Sequence, residues 1–161
     1  MDLNLEKLKY SFKKKPLLVG GKAMEYYGLR KAGKDVDLIV SEEDIVNLIK
    51  LYLTRVKDLW GDLGVCPHEF EIWRTICLFD YDYYRKDAIE KANYLIISIE
   101  NLLFMRALAY KKEKYFNDFK LIVEHIFNKQ GDKYKAQSSI NRKLLNGIRN
   151  ISYIEKTGPG E

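Results

Sequence analysis

The 161-residue chain is poor in several residue types: two cysteines (Cys66, Cys77), two histidines (His68, His125) and three prolines. So few thiols and imidazoles, scattered along the chain, exclude a Cys/His zinc site and a disulfide framework. Both cysteines read as reduced packing residues and both histidines as structural. No apolar run approaches the roughly 20 residues a membrane-spanning helix needs. The opening "MDLNLEKLKYSFKKK" has neither a long apolar core nor a small-residue cleavage site. The expectation is a soluble, cytoplasmic protein with no membrane partner. Internal repeats are absent, and the one Gly/Pro-rich piece, the tail "TGPGE", is expected to fray.

What is present is globular: 47% hydrophobic and 32% charged residues, in a length that suits one domain over residues 1–161. The net charge of +5 is unevenly placed. Residues 1–100 carry 16 Lys and Arg against 17 Asp and Glu, whereas residues 101–161 carry 12 against 6. Such a basic stretch can steer a polyanion such as RNA, or form a solvated helical surface.

Periodicity predicts a helix over about residues 3–13, with Leu3, Leu5, Leu8 and Phe12 on its apolar side, ended by Lys13 to Lys15 and Pro16. "LLVGG" reads as a buried strand closing in a glycine turn, "KAMEYYGL" as a helix ending at Gly28, and "KDVDLIV" as the next strand. Ser41, with Asp44 in the capping-box position, starts a helix whose apolar spacing runs to about Asp58, followed by a turn in "WGDLG". "HEFEIWRTI" (68–76) alternates as a half-buried strand does, "YDYYRKDA" reads as a loop, and "NYLIIS" as a further short strand. Ser98 begins a helix through about Tyr110, and two more follow near 114–128 and 136–150. The fold class is α+β, a mixed β-sheet flanked by helices with a helical C-terminal segment. Residues 1–100 form the sheet-containing part and residues 101–155 the helical part.

The chemistry concentrates in "LLVGGKAMEYYGLRKAGKDVDLIV", residues 17–40. Asp35 and Asp37 are two apart and share a strand face, while Val36, Leu38 and Val40 take the other. A glycine turn after a strand is common, and so is an Asp-x-Asp pair on a solvated face. Together they say more, because like charges this close repel and a divalent cation removes that cost. Hard carboxylate oxygens on a rigid strand suit Mg²⁺, and free N–H groups at the glycine turn suit phosphate oxygens.

This stretch resembles the signature of the nucleotidyltransferase fold, the DNA polymerase β superfamily: an apolar residue, a Gly pair, a spacer, then Asp-apolar-Asp-apolar. It is most similar to small prokaryotic nucleotidyltransferases of the toxin–antitoxin and abortive-infection kind. "ISIENLLFMRALAYKKEKYFNDFKLI" (97–122) resembles their following helical segment, Asp118 matching its final Asp. The resemblance implies an enzyme that transfers a nucleoside monophosphate from an NTP to a hydroxyl with two Mg²⁺ ions. The acceptor would be an RNA end such as that of tRNA, or a partner toxin protein.

By the same resemblance Gly20 and Gly21 would hold the phosphates, and Asp35 and Asp37 would bind Mg²⁺ as the catalytic pair. Glu71 is the candidate third acid, ahead of Glu69, Asp80 and Asp82, because apolar residues flank it on both sides. Lys22 and Arg30 are candidates for phosphate contacts. The chain departs from the pattern at Gly33, where relatives often carry Thr, and at Gly21, where many carry Ser. The alternative is a catalytically silent nucleotide- or partner-binding module acting as an antitoxin.

Overall fold

The computed structural model describes residues 1–148. A seven-stranded mixed sheet, of order β3-β4-β5-β2-β1-β9-β8, carries the fold, with a two-stranded hairpin, β6-β7, beside it in sequence. The strands are β1 (Leu17–Leu18), β2 (Val36–Ile39), β3 (Val56–Leu59), β4 (Asp62–Val65), β5 (Phe70–Trp73), β6 (Thr75–Ile76), β7 (Phe79–Asp80), β8 (Ile89–Glu90) and β9 (Leu95–Ile96). The helices are α1 (Gly20–Tyr26), α2 (Glu42–Leu51), α3 (Tyr81–Tyr84), α4 (Ile99–Leu108) and α5 (Glu113–Leu145). The α+β class with a helical C-terminal segment is therefore observed.

The middle of the sheet is its most deeply buried part. β2 lies antiparallel to β1 and parallel to β5, and β1 lies parallel to β9. Leu17, Leu18, Leu38, Ile39, Ile72 and Ile96 are all fully buried, as apolar side chains on central strands must be to drive folding. Ser41 caps α2 by accepting from the Asp44 N–H at 3.3 Å, and Ile45 and Leu48 bury its inner face. Ser98 caps α4 in the same way, accepting from the Asn101 N–H.

Several boundaries differ from the sequence reading. The N-terminal helix shrinks to one 3₁₀ turn, Leu5–Leu8. Beyond it buried Asp44 accepts from the Tyr10 hydroxyl and from the Lys13 and Lys14 N–H groups, which ties this non-helical segment, bent at Lys13–Lys14, to the start of α2. The first helix begins at Gly20 itself, two residues earlier than the expected start at Lys22, so both glycines belong to it. α2 stops at Leu51, and of the segment expected to continue it to Asp58, Leu53–Arg55 forms a 3₁₀ turn while the residues from Val56 pair as β3 with β4. Tyr81 to Tyr84, expected as loop, form the short helix α3, capped by Asp80.

The two helices expected near 114–128 and 136–150 are one helix, α5, because a lone interior glycine, Gly131, costs only about 1 kcal/mol and no proline interrupts the run. Residues 149 and 150 of that expectation, and the tail, lie outside the described residues. The chain separates into two compact units, the first being Met1–Ile122. The sheet-bearing unit thus takes in α4 and the first turns of α5. The second begins at Val123 and is helical through Leu145.

Candidate active site

A cleft of about 400 Å³ opens in the first unit, and Asp35, Asp37, Glu71, Gly20, Gly21 and Arg30 all line it. Each arrives there for a local reason. In β2 the alternation of Val36 and Leu38 with Asp37 fixes the carboxylate on the face opposite the fully buried Leu38. In β5 the same alternation sends Phe70 and Ile72 to the core and Glu71 to the cleft. The parallel register sets Asp37 directly against Glu71, with Ile39 against Trp73 next along. Adjacent strands are about 4.8 Å apart, so the two carboxyl groups are held as neighbours by the backbone itself. Asp35 stands just before β2, exposed at the cleft's edge.

This crowding has an electrostatic consequence. Burial and then the Glu71 carboxylate push the Asp37 carboxyl above its ordinary 3.8, against the pull of the Gly21 N–H and Arg106. The charged form is therefore under strain in the metal-free protein, and a cation would relieve it. The donor chemistry fits Mg²⁺, which takes hard oxygens and is satisfied by one or two protein carboxylates with phosphate and water completing its shell. Among the described residues no group of three or more His, Cys, Asp or Glu side chains is gathered tightly enough to hold a metal ion. The set is a pair with a third acid at the rim.

Gly20 is bound to this pair sterically. Its φ is +62°, and a Cβ there would lie 1.9 Å from Asp37 Oδ2 and 2.8 Å from Asp37 Cβ. The glycine lets the carboxylate pass over the helix start, where the Gly21 N–H donates to Oδ2 at a long 3.4 Å. Gly20→Ala is expected to lower the melting temperature by several degrees and to abolish any metal or nucleotide binding at the cleft. Thermal melts and titration of the variant with Mg²⁺-ATP check this. Replacing Asp37 by Ala in the same chain recovers only part of the stability, since the Cβ contact persists.

The cationic groups form a second feature of the lining. Arg30 donates from Nε to Asp118 Oδ1 at 2.5 Å and from Nη2 to Oδ2 at 2.9 Å, a two-pronged pair. That contact holds Arg30 firmly charged. Arg106, from α4, brings its Nε to 3.1 Å from the same Oδ2 without hydrogen-bond alignment, and its guanidinium covers the Tyr115 ring at 4.7 Å. Asp118 and Arg106 are 2% and 6% exposed, so one buried carboxylate anchors two arginines that both face the cleft.

Other candidates are placed elsewhere. Lys22 reaches Glu25 at 3.7 Å and stands outside the cleft lining. Glu69 is held by Lys7. Asp80 caps α3 and Asp82 pairs with Arg85, so the rivals to Glu71 serve local structure. Asp62, which does line the cleft, accepts from Thr75 Oγ1 and the Cys77 and Leu78 N–H groups and thereby shapes the β6-β7 hairpin. Cys66 and Cys77 are free thiols.

Sequence reasoning did not single out Arg106, Trp73 or Tyr115. The signal for Arg106 was a lone charge inside the apolar run "LLFMRAL", where burial demands a partner. No family model, curated protein or solved structure matches the chain.

Proposed function

We propose that the chain is a Mg²⁺-dependent nucleotidyltransferase of the DNA polymerase β superfamily kind, moving a nucleoside monophosphate from an NTP to a hydroxyl on a macromolecule. The observation that carries this reading is the pairing of Asp37 with Glu71, in register and under mutual repulsion, in a cleft that also presents Arg30 and Arg106. Acid and base in one cleft suit a metal–triphosphate: the carboxylates take the ion and the guanidinium groups take phosphate oxygens.

Asp37 and Glu71 would hold Mg²⁺, with Asp35 at the rim closing the set when substrate arrives. When bound, the ion supplies charge neutralisation at the phosphates and acidifies the attacking hydroxyl. The Gly20–Gly21 turn gives the triphosphate close access to backbone N–H groups. Arg30 and Arg106, fixed by Asp118, orient the β- and γ-phosphates. The acceptor oxygen bonds to the α-phosphorus as the bond to the β-phosphate bridging oxygen breaks, pyrophosphate leaves, and the hydroxyl proton passes to water. No histidine base is required.

One observation favours the second reading, a silent nucleotide- or partner-binding antitoxin: Asp35, expected on the strand beside Asp37, stands exposed just before β2, while Asp37 and Glu71 face each other. The two separate in one assay. Protein is incubated with labelled NTPs, Mg²⁺ and either total RNA or the protein encoded beside it. Label transferred to either acceptor, and lost with EDTA, is the expected result. Nucleotide binding without transfer to either favours the silent binder.

A further inference from the structure

Most tyrosines that pack into the first unit have their hydroxyls tied down: Tyr10, Tyr27, Tyr52, Tyr81, Tyr84 and Tyr94 each donate to a carboxylate or a backbone carbonyl. Tyr115, half-buried in the first turn of α5, makes no such bond among the described residues, and its oxygen is not sealed from solvent. It lines the cleft that holds Asp37 and Glu71, and among the described residues it is the only hydroxyl-bearing side chain there. The ring, by contrast, is fixed. The Arg106 guanidinium covers it at 4.7 Å, and the Lys112 and Lys114 ammonium groups stand 5.6 and 5.9 Å from its centroid. The Tyr115 N–H donates to the Lys112 carbonyl at 2.9 Å, which seats the residue at the helix start. Phenylalanine would serve packing and the cation contacts as well, so folding leaves the hydroxyl unexplained.

We propose that Tyr115 is a nucleotidylation site, its hydroxyl accepting a nucleoside monophosphate from an NTP bound in the cleft of the same chain. This rests on the transferase reading and names one acceptor for it. The phenolic oxygen bonds to the α-phosphorus, the bond from that phosphorus to the bridging oxygen of the β-phosphate breaks, pyrophosphate leaves, and the phenol proton passes to water. The three cations beside the ring favour the negative charge that builds on the oxygen as it attacks. Cys77 also lines the cleft, but burial pushes its thiol up, and a protonated thiol is a poor nucleophile. Because the acceptor is part of the cleft wall, its encounter with bound NTP is intramolecular. The attached nucleotide then occupies the cleft, which limits the reaction to a single turnover and closes the site to the next NTP.

The full chain is incubated with Mg²⁺ and, in turn, each ribonucleoside triphosphate labelled at the α-phosphate, with no RNA or second protein present. At least one should label the protein, the label should approach one per chain and survive acid, and EDTA or a label at the γ-phosphate should give none. Trypsin releases residues 115–120, "YFNDFK", in which Tyr115 carries the only hydroxyl, and this peptide should gain one nucleoside monophosphate. Tyr115→Phe keeps the ring that Arg106 covers, so its melting temperature should match the parent's while labelling falls about tenfold or more. Label on another peptide, label lost in acid, or undiminished labelling of Tyr115→Phe overturns the assignment. A rate per chain that climbs with protein concentration also overturns it, because attack then occurs between copies. Protein that labels RNA or the protein encoded beside it, but not itself, removes this inference alone and leaves the transferase reading. Label on no acceptor at all removes both.

Discussion

Asp37→Asn is expected to reduce nucleotide transfer by three decades or more in kcat/KM and, in metal-free protein, to raise the melting temperature. The two effects have one cause. Asp37 is pressed against Glu71 by strand register and partly removed from water, so its charge is unfavourable until a cation arrives. Asparagine keeps the shape that Gly20 is cut to admit and removes only the charge. A loss of about three decades corresponds to about 4 kcal/mol of transition-state stabilisation, the scale expected when an ion and its phosphates lose a direct ligand.

The sign of the pH effect follows from the raised carboxyl. Between the ordinary 3.8 and its folded value, the native state binds more protons at Asp37 than the unfolded chain does. Stability of the metal-free protein therefore gains from this group as pH falls through the folded value, and the gain is complete below 3.8. Asp37→Asn should remove that part of the profile, and Mg²⁺ should remove it from the parent. Chemical denaturation across pH, with and without Mg²⁺, measures both. A variant that melts lower and shows the parent's pH profile would make Asp37 a structural residue.

How far the sequence could be read depended on whether the deciding contacts were local. β2 was legible because alternation around Asp35 and Asp37 needs only the chain's own period. The same holds for the caps at Ser41 and Ser98, where donor and acceptor are three residues apart. β3 was not. Ile45, Leu48, Ile49, Tyr52, Val56 and Leu59 keep helical spacing without a break, so the local pattern favours one long helix. What converts Val56–Leu59 to a strand is pairing with β4, itself paired to β5, a long-range term that no local window contains.

The candidate site divides along the same line. The acidic half lies on two strands whose faces could be assigned residue by residue. The basic half is assembled by Asp118 from partners 88 and 12 positions away, Arg30 and Arg106. A sequence window shows Asp118 beside lysines on an exposed-looking helix. Only the packing of α5 within the first unit reveals that it faces inward.

That packing makes Asp118→Ala the most destabilising single change expected in the protein. Asp118 is 2% exposed and holds Arg30 through two hydrogen bonds while neutralising Arg106, itself 6% exposed and donating no hydrogen bond from its Nε. Deleting the carboxylate leaves a buried guanidinium uncompensated. Breaking a buried ion pair from one side costs about 3–5 kcal/mol, a large share of the roughly 5–15 kcal/mol that holds a domain folded. Asp118→Asn preserves the shape and two acceptor sites on one oxygen but not the charge, so its cost should fall between those of Ala and the parent. The arginines provide the check that this is an ion-pair effect and not a cavity. In Arg106→Met, which replaces the buried cation with an apolar side chain, Asp118→Ala should cost less than in the parent, because Arg30 can turn to water from its more exposed position. Denaturant melts of the four proteins give the coupling directly. Additive costs would mean that Asp118 stabilises by packing alone, and that the two arginines are not held toward the cleft by it.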